Sequence, residues 1–154
     1  MRENDYPSLK LKHADKWKLI WPKSGAPANY RSTIVLEPGQ ICSDTFIGCW
    51  FNSRQQVENF RTYFQTLFYR FSISETATDH NAISLVHRHL PDLVNIKNPR
   101  TGMIGWDSTW TDSDIEILLK DVLTEEDWQY IKKIAIEKDP VSRRQAAGEA
   151  KIAK

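Results

Sequence analysis

The chain has 154 residues with 21 Lys/Arg against 20 Asp/Glu, and 40% of it is apolar and 27% charged, a composition that fits one globular domain with its own core. No apolar run approaches the ~20 residues of a membrane-spanning helix, and the opening MRENDYPSLKLKHADK lacks the apolar region of a secretory signal. A net charge of +1 excludes the strongly basic balance of an autonomous nucleic-acid binder, while Cys42 and Cys49 are too few for a disulfide framework and are expected as reduced thiols of a cytoplasmic protein.

Residues 1–15 carry no periodicity and are expected as an irregular lead-in. Lys16–Trp21 (KWKLIW) alternates cationic and apolar side chains and then runs apolar until Pro22, which predicts a strand. Residues 23–31 (KSGAPANYR) read as loop from their Gly, two Pro and Asn. Thr33–Leu36 predicts a second strand, closed by the turn Glu37-Pro38-Gly39, in which Gly supplies a positive φ. Ile41–Phe51 predicts a third, with Gly48 marking a bulge or a close backbone approach.

Residues 52–74 (NSRQQVENFRTYFQTLFYRFSIS) predict one long helix, the element around which the rest is organised. Val57, Phe60, Phe64, Leu67, Phe68 and Phe71 recur at steps of three and four and form its inward stripe. Ser53 supplies an N-cap oxygen and Gln56 stands at capping-box spacing; loss of the cap would cost roughly 1 kcal/mol. The outward face is expected to carry Arg54, Arg61 and Arg70 with Tyr63 and Tyr69, cations beside aromatics, which suits phosphate contact. A merely solvated face has the same composition.

Residues 74–81 (SETATDHN) predict a surface loop, 83–90 (ISLVHRHL) a further strand, and 95–105 (NIKNPRTGMIG) another loop. Thr111 and Thr124 are predicted N-caps of two short helices, each with acids in the first turn. Ile115, Leu118 and Leu119 are expected inward from the first helix, and Trp128, Ile131 and Ala135 from the second. Residues 138–154 are expected to be a flexible tail. Strands, a long helix and then two short helices give the expected fold class: α+β, a small mostly antiparallel sheet packed on one long helix, with the domain over residues 16–137.

Charge is unevenly distributed. Residues 1–31 hold seven Lys/Arg against three Asp/Glu and residues 54–100 hold six against four, but residues 101–136 hold three against eight. Such a division directs a polyanion to one side. Signatures of catalysis are sparse. There is no GxGxxG or Walker loop, and Cys42, Cys49, His80, His87 and His89 lack paired zinc-ligand spacing. A nuclease-like set drawn from Asp92, Glu149 and Lys151 would need two residues of the expected tail. His87 and His89 fall on one side of the expected strand, and Asn98-Pro99-Arg100 is ordinary turn chemistry.

Four blocks in order carry a resemblance. Leu36-Glu37-Pro38-Gly39-Gln40-Ile41-Cys42-Ser43-Asp44-Thr45-Phe46 is the first, and Gly48 with Val57-Glu58-Asn59-Phe60, Tyr63 and Phe68-Tyr69-Arg70-Phe71 the second. Trp110-Thr111-Asp112 and Leu123-Thr124-Glu125-Glu126 complete the series. Together, over about Lys16 to Glu137, they resemble the C-terminal region of adenine-specific DNA methyltransferases of type II and type III-like restriction–modification systems, a class that includes polypeptides joining methylase and endonuclease. The chain departs from that pattern after the long helix, where Ser74-Glu75-Thr76-Ala77-Thr78-Asp79-His80 replaces a more basic segment.

The resemblance implies a non-catalytic target-recognition domain that contacts double-stranded DNA and works with a methyltransferase catalytic core in the same or a neighbouring chain. No cofactor is expected in this chain; S-adenosylmethionine belongs to the core, whose Gly-rich and Asn-Pro-Pro-aromatic motifs are missing here. Candidate phosphate contacts are Lys16, Lys18, Lys23, Arg31, Arg54, Arg61 and Arg70. Candidate base readers are Thr76, Thr78, His80, Asn81, Asn98 and Arg100, Arg and Asn being suited to guanine and adenine edges. Two other classes remain open: an interaction domain that docks on a methylase or endonuclease subunit through its acidic 107–127 segment, and a small metal-dependent nuclease.

Overall fold

A computed structural model describes residues 13–22, 33–76 and 92–137. Within them the chain is α+β. Strands β1 (Trp17–Pro22), β2 (Ile34–Leu36) and β3 (Phe46–Phe51) form an antiparallel sheet in the order β2-β1-β3. Helices α1 (Arg54–Phe64) and α2 (Leu67–Thr76) follow, then a 3-10 turn at Gly105–Asp107 and helices α3 (Asp112–Leu119) and α4 (Glu125–Glu137).

Side chains alternate across β1. Trp17, Leu19 and Trp21 join Ile47, Cys49 and Phe51 of β3 in the cluster that packs on the helices. Rings set the contact with α1: Trp21 meets Phe64 edge-on at 4.8 Å and Phe51 meets Phe60 at 5.1 Å. Gly48 is the close approach that its place in the strand suggests, since a Cβ there would lie 2.3 Å from the Leu19 carbonyl oxygen. The third strand is shorter than its apolar run, because residues 41–45 do not pair and β3 begins at Phe46.

The expected single long helix is two. Gln65 and Thr66 interrupt it, and the physical reason is a pair of caps. The Thr66 hydroxyl donates to the Tyr63 carbonyl at 2.8 Å and accepts from the Tyr69 amide at 3.2 Å, closing α1 and opening α2 with one side chain. Asp112, from the start of α3, accepts the Leu67 amide at 2.6 Å. The aromatic stripe also differs from the expected one. Tyr63 and Tyr69, expected outside, are buried and pack edge-on at 5.4 Å, and Tyr69 stacks on Phe64 at 4.3 Å. Leu67, Phe68 and Phe71 are half-buried instead of fully enclosed.

Caps at the other helices follow the sequence closely. Thr111 and Asp114 form a reciprocal capping box, and Thr124 and Asp127 repeat the same bonds at α4. At α1, Ser53 accepts the Gln56 amide at 3.2 Å, but the Gln56 side chain bonds the Asn52 amide, one residue before the expected one, and donates to Asp107 at 2.7 Å. α4 lies against α2, with Phe68 stacked on Trp128 and Phe71 edge-on to Tyr130. Ile115, Trp128, Ile131 and Ala135 are buried, and Leu118 and Leu119 pack partly buried beside them. The expected strand at 83–90, with His87 and His89, lies outside the described residues, as do most of the 1–15 lead-in, the 138–154 tail and the nuclease-like residues Glu149 and Lys151. Among the described residues no helix is long and apolar enough to cross a membrane.

Candidate nucleic-acid interface

Three cations meet where β1 begins and α1 starts. The Lys16 ammonium donates to the Asn52 side chain at 2.9 Å, just ahead of α1. The Arg54 guanidinium, in the first turn of α1, stands 5.9 Å above the Trp17 ring. Lys18 reaches back to the Lys16 and Ala14 carbonyls at 2.8 and 3.3 Å, so its charge also sits at this corner. Asp15, 3.8 Å from Lys16, is one acid beside them, and Asp107, which accepts from Gln56 at 2.7 Å, stands at the same end of α1.

An aromatic pair joins this corner. Lys18 stands directly opposite Trp50 in the β1–β3 register, so both side chains lie on the sheet face turned away from the helices. Trp50 is 55% exposed, and His13 stacks on it at 3.9 Å with 9° between the rings. His13 takes a φ of 67° to do so, a left-handed conformation uncommon for a residue with a Cβ. Neither residue stood among the sequence candidates. Trp50 was legible in principle, because the alternation Phe46, Gly48, Trp50 against Ile47, Cys49, Phe51 puts it on the outer face. His13 was not, since its position depends on a turn that no local pattern announces.

No family model, no curated protein and no solved structure matches this chain. The function must therefore be argued from the side chains themselves.

The remaining sequence candidates divide sharply. Arg61 is seven residues from Arg54 and shares its stripe on α1, but it is 3.7 Å from Glu58 on the same helix. Arg70 turns inward, with its guanidinium 3.4 Å from the Ala135 carbonyl of α4 and part of its side chain buried. Asn98 is fully buried. Its oxygen accepts from the Arg100 and Thr101 amides at 2.9 and 3.0 Å, and its amide donates to the Thr109 carbonyl at 3.0 Å. A side chain so occupied has no edge to offer a base, which corrects the expectation for Asn98. Arg100 is 48% exposed, but its guanidinium is committed to the chain: it pairs with buried Asp114 at 3.1 Å and donates to the Thr109 hydroxyl at 3.1 Å. The sequence signal for both was the Asx-turn chemistry of Asn-Pro, a structural motif. Lys23, Arg31, Thr78, His80 and Asn81 lie outside the described residues; Thr76 ends α2, and its side chain is outside them too.

Titration adds little chemistry. Burial, with Asp92 nearby, pushes the Cys49 thiol up to about 11, so it is a protonated core group at neutral pH. Among the described residues no group of three or more His, Cys, Asp or Glu side chains is placed to hold a metal ion.

Proposed function

We propose that this chain is a non-catalytic DNA-binding domain whose contact surface is the edge formed by Lys16, Lys18 and Arg54, with the His13–Trp50 stack on the sheet face beside Lys18. The observation that carries the reading is the gathering of three cations at the β1–α1 edge, with Lys18 on the same sheet face as the exposed Trp50 on which His13 stacks. Cations hold phosphates and fix register, and the exposed aromatic pair beside Lys18 adds apolar surface to that contact. The sequence resemblance supplies the setting: target recognition for a restriction–modification adenine methyltransferase, with S-adenosylmethionine bound by a separate catalytic core.

With about three phosphate contacts, log K falls with log salt at a slope near −2.7, so a rise from 50 to 200 mM salt lowers affinity roughly forty-fold. Titration of a labelled duplex with wild type and with Lys16→Ala/Lys18→Ala/Arg54→Ala at both salts tests this. We expect the triple variant to lose binding at low salt and to flatten the slope. Equal binding by the two proteins, or none by wild type at 50 mM salt, refutes the reading.

A further inference from the structure

Ahead of the 3-10 turn, residues 96–105 double back as a tight hairpin whose order comes from one buried residue. The Asn98 amide donates to the Met103 carbonyl at 2.8 Å and its carbonyl accepts from Gly102 at 2.9 Å, while its side-chain oxygen takes the Arg100 and Thr101 amides. Gly102 makes the turn at a φ of 73°. The end of this frame is nevertheless apolar and open to solvent, with Met103 53% and Ile104 57% exposed. A loop fixed by so many bonds has little order left to lose on binding, which suits a contact surface.

Charge and position favour one occupant. Residues 95–106 hold two cations and no acid. Arg100 is committed to Asp114. Lys97 stands opposite Ile104 across the hairpin, between the Gly105–Ile96 and Asn98–Met103 hydrogen bonds, so the two side chains share one face. The Lys97 stem also runs past the turn, its Cε 3.6 Å from where a Cβ on Gly102 would lie. The base of the hairpin is tied to the cationic edge by a chain of hydrogen bonds. The Asp107 amide donates to the Ile104 carbonyl at 3.2 Å, and its carboxylate accepts from Gln56. The Gln56 oxygen takes the Asn52 amide, and the Asn52 side chain takes the Lys16 ammonium. A duplex held by Lys16 and Arg54 therefore lies beside this hairpin. Met and Ile are among the side chains that proteins insert between base steps from the minor groove, and Lys serves beside them there. We propose that Met103 and Ile104 form an apolar wedge that enters the minor groove and kinks the bound duplex, with Lys97 on a neighbouring phosphate. The wedge rests on the DNA-binding reading. A docking protein would meet the same apolar side chains, but continuity with the cationic edge and the lack of acids favour a polyanion.

The test is FRET between dyes at the two ends of a duplex of about 20 base pairs with several TA steps, which kink readily. The full chain is titrated into it at about 50 mM salt. Wild type should bind and raise the FRET efficiency, because a bend of about 20–90° shortens the end-to-end distance. Met103→Ala/Ile104→Ala should leave the saturated complex at the FRET level of free duplex. Met103→Leu/Ile104→Leu, which keeps an apolar tip, should restore the rise. Both pairs change exposed side chains, and thermal unfolding of the variants beside wild type separates loss of bending from loss of fold. Saturable binding by wild type with no rise in FRET, or an undiminished rise with the alanine pair, overturns the wedge while the DNA-binding reading stands, and leaves the tip to a protein partner. No binding by wild type overturns both.

Discussion

At the scale of single residues, burial decides what a polar side chain is for. Asp114 is only 1% exposed yet charged. Burial pushes its carboxyl up, and the hydrogen bonds from Arg100, Thr111 and Asn98 together outweigh that, so it titrates below the usual range. A depressed folded pKa contributes stability that is present above the unfolded value of about 3.9 and disappears as pH falls through the folded one. Arg100→Ala should therefore cost about 2–4 kcal/mol at pH 7, well beyond the ~1 kcal/mol of an exposed ion pair. The penalty should shrink as pH drops below about 4, and urea unfolding at pH 7 and pH 2.5 checks both points. Tyr63 presents the reverse case. Its hydroxyl is buried with no hydrogen-bond partner among the described residues, and burial holds it well above its ordinary pKa. Holding an unpaired hydroxyl in the core is costly, so Tyr63→Phe should leave stability unchanged or raise it by up to about 1 kcal/mol. A loss above that margin in the same unfolding assay would mean the hydroxyl has a partner.

Among the elements, what the sequence disclosed depended on how local the cause was. The N-caps at Thr111 and Thr124 and the strand at 17–22 were legible because the deciding residues lie within a few positions of one another. The break between α1 and α2 was not. A Thr inside an amphipathic run is tolerated in many helices, and the second half of this cap comes from Asp112, 45 residues downstream. The outward placement of Tyr69 failed because it lies beyond the break, whereas Tyr63 lies on α1 itself, three residues after buried Phe60, and helical spacing already allowed its burial. The site was legible in part: Lys16, Lys18 and Arg54 were identifiable as cations, but their convergence required strand register and the Lys16–Asn52 contact across 36 positions. Asp112 itself is held up by burial, an effect that the Leu67 and Phe68 amides and the nearby Arg70 and Lys132 charges reduce without cancelling. With its folded pKa raised, ionisation of Asp112 works against the fold as pH rises through that value. Asp112→Asn keeps an acceptor for Leu67 without the charge and should be within about 0.5 kcal/mol of wild type at pH 7. Asp112→Ala removes the cap and should cost about 1–2 kcal/mol. If Asn were as damaging as Ala, the carboxylate charge and not the cap would hold the two helices together.

For the whole molecule, the separation of charge is the feature with a functional consequence. The cationic corner sits at the N-terminal end of α1, and Asp112 ties α3 to the break beyond its C-terminal end. Eleven residues of helix at 1.5 Å each span about 16 Å. That exceeds the Debye length of about 8 Å at physiological salt but not the ~30 Å at 0.01 M. The acids of α3 and α4 therefore act on a phosphate at the corner only when salt is low. Neutralising Glu116 and Glu125 together should leave the duplex Kd within about twofold at 150 mM salt. At 10 mM salt it should speed association several-fold, since less of the approaching duplex is repelled. Lys16→Ala/Lys18→Ala/Arg54→Ala should instead weaken binding at every salt at which wild type binds. Stopped-flow association at the two salt concentrations separates the effects. A large gain from the Glu116/Glu125 variant at 150 mM salt would show that the acidic helices lie close to the bound duplex, and the division of charge between a cationic edge and the acidic helices would have to be abandoned.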